Sequence, residues 1–207
     1  MNQNLIIIGA GGHGKVAADI AMKMKKWDRI SFLDDNVSKK EALGIPIIDT
    51  ITNWPEYEQQ CDFFVAIGNN TIRKNIMTQL EGNKASIATL IHPSAIIGEQ
   101  VLIEYGTVVM AGSVINSCTK IAKGCIINTS SSIDHDNNIG EYVHISPGVH
   151  IAGNVNIGAL SWLGIGSTVI NDVEIASNCT IGAGAVVINT INEQGTYLGI
   201  PAVLHKK

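Results

Sequence analysis

The chain is short of aromatic residues (5%) and of charge (15%), and it has only 5 prolines and 4 cysteines among 207 residues. Each shortage excludes something. Lys plus Arg number 14 against 18 Asp plus Glu, a net charge of -4, which argues against a protein built to hold nucleic acid or an anionic membrane. Cys61, Cys118, Cys125 and Cys179 have neither C-x-x-C nor tight-framework spacing, so they read as reduced and packed rather than bridged. No apolar run approaches the roughly 20 residues of a membrane span. No basic leader precedes the strand-like segment Leu5–Ile8, so the expectation is a soluble, cytoplasmic protein with no membrane insertion. What is abundant is Ile, Val and Gly, and a hydrophobic share of 45% excludes whole-chain disorder.

Charge is unevenly placed. Residues 1–90 carry 10 basic and 10 acidic groups, whereas residues 91–207 carry 4 and 8. The shift falls near Ile91-His92-Pro93 and predicts two domains, 1–91 and 92–207.

The second part is periodic. From Ile97 to Val187 every sixth residue is aliphatic, through Ile103, Val109, Ile115 and onward, with no break in register over 16 positions. The residue four further on is mostly small or β-branched, as at Thr107, Ser113, Thr119, Cys125 and Val143, and Gly often follows the aliphatic, as at Gly98, Gly140 and Gly158. A period of six fits neither an α-helix nor a hairpin stack. It fits a parallel β-helix whose hexads each form a flat face and a corner, with the aliphatics turned inward and Gly and Asn at the corners.

This hexapeptide signature resembles the left-handed β-helix acyltransferases over residues 97–192. The resemblance implies three hexads per triangular coil, so that residues 18 apart stack at about 4.8 Å. Cys125 and Cys179, 54 residues apart, would then lie about 14 Å apart and form no disulfide.

The first part opens strand, Gly-rich loop, helix: Leu5–Ile8, Gly9-Ala-Gly-Gly-His-Gly14, then Lys15–Met24. Further strands are expected at Ile30–Leu33, Phe63–Ile67 and Ile87–Ile91, which makes a parallel α/β, half-Rossmann-like domain. Gly9, Gly11 and Gly14 satisfy G-x-G-x-x-G, a dinucleotide signature on its face. About 90 residues is half of such a fold, so the firmer reading is a helix N-terminus open to a phosphate; the bland one is a tight turn. His13 inside the loop favours ligand contact, and Asp34, Asp35, Gly68, Asn69 and Arg73 follow strand ends, where ligands gather.

Within the repeat the most polar stretch is Asn128–Asn138, where His135 stands between Asp134 and Asp136. A histidine beside a carboxylate suits a general base, because the acid fixes the tautomer and stabilises the imidazolium; a solvated corner is the alternative. One coil further on is Gly153, whose bare N–H suits a developing oxyanion. His150 reads as a surface corner.

Gly11-Gly-His13, Phe32-Leu-Asp-Asp35, Ala66-Ile-Gly-Asn-Asn70, Asn128-Thr-Ser-Ser131, His135, Ala152-Gly-Asn154 and Gly199-Ile-Pro-Ala202 together resemble the PglD/NeuD-type sugar acetyltransferases. The resemblance implies transfer from acetyl-CoA to the amine of a UDP-4-amino-4,6-dideoxysugar in bacterial surface-glycan synthesis, by direct attack in a ternary complex. It implies His135 as base, Asp136 as its partner, and His144 and Gly153 facing the thioester. Gly164, Ile165, Ala183 and Gly184 would line a CoA groove between subunits of a homotrimer, and Gly11, Gly12, His13, Asp34, Asp35, Gly68 and Arg73 would hold the nucleotide sugar, with no metal. Some relatives carry Glu at Asp136, so the reach of the shorter acid is a question for the structure.

Three alternatives stay open: O-acetylation of sialic acid or another sugar hydroxyl, a zinc hydratase using His135, His144 and His150 across a trimer interface, and a non-catalytic trimeric scaffold.

Overall fold

The structure, a computed structural model, describes residues 3–36 and 38–205. The chain forms two compact units, Met1–Pro93 and Ser94–Lys207.

The first unit runs β1 (Asn4–Ile8), α1 (Gly12–Met24), β2 (Arg29–Leu33), β3 (Glu41–Ala42), β4 (Ile45–Asp49), a 3-10 helix (Ile51–Tyr57), β5 (Cys61–Val65), α2 (Asn70–Gly82) and β6 (Ser86–Ile87). The sheet order is β3-β4-β2-β1-β5-β6. β1 lies between β2 and β5, parallel to both. Such a strand is covered on both faces, which is why Leu5–Ile8 and Phe63–Val65 are unbroken apolar runs and fully buried.

α1 starts three residues before Lys15 because the loop glycines already take helical geometry, with Gly11 as N-cap. Its buried side is made of Gly14, Ala17, Ala18, Ile20 and Ala21, small enough to let the helix lie close to the sheet. At Gly14 a Cβ would stand 2.0 Å from the Gly9 carbonyl oxygen, so only glycine fits. Two expectations change here. The strand expected over Ile87–Ile91 is divided into Ser86–Ile87 and Leu90–Ile91, with the intervening Ala88 N–H bonded to Phe63 O. β4 and the antiparallel β3 beside it lie where the sequence predicts no element: β3 has only two residues, and the five of β4 include Pro46 and are buried only at Ile45.

The second unit is the left-handed parallel β-helix of hexads. Its hexad strands are two residues long and stack in three parallel ladders with an 18-residue register, as in Ile126↔His144↔Trp162↔Thr180, and a three-residue strand, Thr196–Leu198, closes the last coil. A second ladder carries Val114, Ser132, His150, Thr168 and Val186. A third carries Lys120, Asn138, Asn156 and Glu174. The sixth-residue aliphatics from Val109 to Val187 are at most 2% exposed and fill the prism, each contributing about 1.5–3 kcal/mol by burial. Ile97, in the first coil, is 37% exposed.

The corners differ from expectation in a useful way. Every sixth residue from Gln100 to Gly184 has positive φ, and this left-handed position lies three after the aliphatic, not one after it. It is occupied by Asp136, Asn154 and Asp172 as readily as by Gly148 or Gly166. The glycines directly after the aliphatics are there for closeness instead. A Cβ on Gly158 would lie 2.3 Å from the backbone nitrogen of Ser177 in the next coil.

Candidate active site

His135 sits in the turn between strands Ser132–Ile133 and Asn138–Ile139. The left-handed conformation of Asp136 (φ 59) turns its side chain back along the corner, and Oδ2 comes within 2.8 Å of His135 Nδ1. The shorter acid therefore reaches. A carboxylate can only accept, so Nδ1–H donates to it and the neutral ring presents its lone pair at Nε2. This bond holds the His135 pKa above the ordinary histidine value; slight burial opposes it, and the charges of Asp134, Asp136 and Asp172 add to it.

Asp134 is itself fixed. Asn116 Nδ2 donates to its Oδ1 at 2.8 Å and the His135 N–H does so at 3.0 Å, and these bonds hold its carboxyl below the usual range. Asp172, two coils from Asp136, accepts from Asn154 Nδ2 at 2.7 Å and from Asn171, and is likewise lowered. Asn154 and Asp172 escape a residue-by-residue reading, but adding 18 and 36 to 136 finds both in the left-handed row.

Gly153 lies buried under the imidazole. A Cβ there would stand 2.6 Å from His135 Cε1 and 2.7 Å from Nε2, so the glycine is required by the ring that rests on it. Its N–H has no acceptor among the described residues. The corner thus combines an oriented base, a carboxylate partner and a bare amide, the parts that acyl transfer to a nucleophile needs.

His144 belongs to a different ladder of the same chain. It stacks on Trp162 (centroids 5.9 Å, 14° between planes), and its Nε2 lies 3.4 Å from Asn128 Nδ2. Trp162 Nε1 donates to Ser146 Oγ at 2.8 Å. Trp162, Ser146, Gly164, Ile165 and Ala183 line one apolar hollow of about 270 Å³, which brings three of the four expected groove residues together; Gly184 is a left-handed corner beside it. Trp162 is one coil on from His144, the spacing that could have found it. His150 is on a strand face, not a corner, with Nδ1 2.8 Å from Ser132 Oγ. Among the described residues no three His, Cys, Asp or Glu side chains gather as a metal-holding group. Cys118, at a left-handed corner, is exposed rather than packed.

In the first unit, Gly11 and Gly12 are exposed at the start of α1, with no atom within 4 Å of an added Cβ and no side-chain cap on the helix. His13 follows, half-buried, in the first turn. Asp34 builds this loop: it accepts the Ala10 N–H at 2.6 Å through one oxygen and the Asn36 N–H at 2.9 Å through the other. Lys39 takes the Ala10 carbonyl. Asp35 accepts from the Ile51 N–H at 3.0 Å. A cleft of about 200 Å³ opens beside them, lined by Asp34, Lys39, Lys40, Asp49 and Thr50.

Arg73 is the residue the structure removes from the ligand-facing set. It is 1% exposed, and its guanidinium donates to Ile67 O (2.9 Å), Gly68 O (3.1 Å) and Asn70 Oδ1 (2.9 Å). Buried without those acceptors the charge would be too costly, so it shapes the turn that exposes Gly68. No helix among the described residues is long and apolar enough to cross a membrane.

A hexad β-helix with a histidine–carboxylate pair on a glycine backbone, preceded by a Gly-loop α/β unit, defines the hexapeptide-repeat transferase class. Residues 4–80 match the family described as the PglD N-terminal domain. The acetyltransferase domain of PglB from Neisseria gonorrhoeae FA1090, solved with acetyl coenzyme A, is 37% identical with a TM-score of 0.95, the match covering 99% of this chain and 100% of that one. PerB from Caulobacter crescentus, solved with CoA and GDP-perosamine, is 32% identical with a TM-score of 0.93, over 98% and 97%. The UDP-N-acetylbacillosamine N-acetyltransferase of Bacillus subtilis (strain 168) is 36% identical over 114 residues, 53% of this chain but only 52% of that enzyme's length. The chain belongs to the PglD-type sugar acetyltransferase family.

Proposed function

We propose that this protein transfers the acetyl group of acetyl-CoA to the amine of a nucleotide-linked amino sugar, a UDP-4-amino-4,6-dideoxysugar, for bacterial surface-glycan synthesis in the cytoplasm. The observation that carries the reading is the His135–Asp136 bond set directly over Gly153.

His135 Nε2 takes a proton from the sugar amine as the nitrogen bonds to the thioester carbonyl carbon. Asp136 stabilises the imidazolium that forms, and the Gly153 N–H donates to the carbonyl oxygen as it gains charge. His135 then returns the proton to sulfur as the C–S bond breaks, leaving an amide and free CoA thiol. Trp162, Gly164, Ile165, Ala183 and Gly184 line the CoA groove, and the uncapped start of α1 with Gly11, Gly12, His13, Asp35 and Gly68 receives the nucleotide end of the acceptor. His144 lies on a strand of a third face, away from the corner that carries His135 in one chain, which favours sites shared between copies in a homotrimer. The relatives named as N-acetyltransferases favour an amine over a hydroxyl acceptor.

The test is thiol release from acetyl-CoA against a panel of nucleotide amino sugars and sialic acid. His135→Ala should lower turnover by roughly 10²–10⁴, the usual share of a general base, with CoA binding intact. An unchanged rate would remove His135 from the chemistry.

A further inference from the structure

The prism interior holds one residue that its repeat does not explain. Four residues after each inward aliphatic the side chain is Thr, Ser, Cys, Val or Ala in every hexad from Val101 to Ala185 except one, where it is the fully buried Asn137. It stands two residues from His135.

At Thr107, Thr119 and Ser161 this position makes the same pair of bonds between coils. Thr107 Oγ1 donates to the carbonyl 15 residues on, Ala122 O, and accepts the N–H 18 residues on, from Cys125. Thr119 does the same with Asp134 O and the Asn137 N–H, and Ser161 with Ala176 O and the Cys179 N–H. Asn137 keeps both: Nδ2 donates to Ala152 O at 3.0 Å, and Oδ1 accepts the Val155 N–H at 2.9 Å. Its second Nδ2 hydrogen points back to its own corner, to Asp134 O at 2.7 Å, with His135 O a longer contact at 3.3 Å that shares one of the two hydrogens.

These contacts bracket the site on both sides. Asp134 O already accepts from Thr119 at 2.7 Å, so both lone pairs of the carbonyl preceding His135 are occupied. Ala152 O and the Val155 N–H flank the Gly153-Asn154 segment on which the imidazole rests. One buried carboxamide therefore fixes the backbone under the base and the backbone carrying the bare amide. His135 itself is 59% exposed at its side chain and is held mainly by what lies beneath it.

We propose that Asn137 is a positioning residue that sets the His135 ring against Asp136 and Gly153, and that its role is separable from prism stability. The proposal rests on the reading of His135 as the base.

The repeat itself supplies the discriminating variant. In Asn137→Thr the hydroxyl can make the two inter-coil bonds that Thr107 and Thr119 make, and it loses those to Asp134 O and His135 O. Asn137→Val loses all of them. Asn137→Thr should melt within a few degrees of the parent and bind CoA equally well. Its kcat should fall roughly 10- to 100-fold with little change in acceptor KM, because a shift on the order of 1 Å in a catalytic group costs about 10²-fold. The His135 ring followed by NMR should titrate at lower pH in Asn137→Thr, since a loosened ring loses part of its bond to Asp136. If Asn137→Thr keeps the parent kcat and His135 titration while Asn137→Val only lowers the melting temperature, Asn137 is structural and the proposal fails. If the His135 titration moves but His135→Ala leaves turnover unchanged, the positioning stands and the assignment of the base falls.

Discussion

Gly153→Ala offers the sharpest probe of the corner. No positive φ is required at Gly153, so alanine meets no backbone objection there. The added Cβ would stand 2.6 Å from His135 Cε1, 2.7 Å from Nε2 and 3.1 Å from Nδ1. Ordinary carbon contacts lie at about 3.5–4.0 Å, so the ring must retreat by about 1 Å. Because the imidazole is 59% exposed, it can move outward instead of forcing the coils apart. The stability cost should therefore sit at or below the low end of the ~1–3 kcal/mol typical of overpacking. Retreat lengthens the 2.8 Å bond to Asp136 and lifts Nε2 away from the place where it meets the acceptor. A misplacement of that size should lower kcat by about 10²-fold. The assay is thiol release under saturating acetyl-CoA, paired with a melting curve and CoA titration. A variant that melts like the parent, binds CoA and turns over at the parent rate would refute the ring-on-glycine geometry.

Gly158→Ala should behave in the opposite way. Its Cβ meets the Ser177 backbone nitrogen at 2.3 Å, which has no room to yield, so melting temperature should drop with a cost of about 2 kcal/mol or more. Asp136→Asn removes the charge and leaves only a neutral acceptor for Nδ1–H, weakening the interaction that raises the His135 pKa, so the His135 NMR titration should move down toward the ordinary value of about 6.5. The acid limb of activity should follow it to lower pH at reduced kcat, and an unmoved titration would contradict the cause assigned to the shift. Gly11→Leu, in open space at the start of α1, should raise acceptor KM while sparing CoA affinity, and a loss of CoA binding instead would mean the two sites are assigned to the wrong units.

Periodicity made the prism legible because burial in a β-helix depends only on position within the hexad. Ile115, Ile133 and Ile151 are inward for one reason, and the reason repeats. The same step of 18 places Gly153 beside His135, Asn154 and Asp172 in one corner row with Asp136, and Trp162 beside His144. In the first unit, β1, β2 and β5 contain buried apolar residues in short runs, whereas β3 has only two residues and β4, interrupted by Pro46, is mostly half-buried or exposed.

What the sequence determined by itself was the coil, its core and the hexad that carries the polar corner, since these follow from local spacing and solvent exclusion. What the tertiary structure decided was direction. It turned Asp136 toward His135 through a left-handed φ that composition does not encode, and it buried the Arg73 guanidinium under the turn at Gly68 rather than exposing it at the strand end. It also gave Asn137 four partners on two coils. A side chain's type limits which bonds it can make, but only the packed backbone around it fixes which acceptors lie within reach.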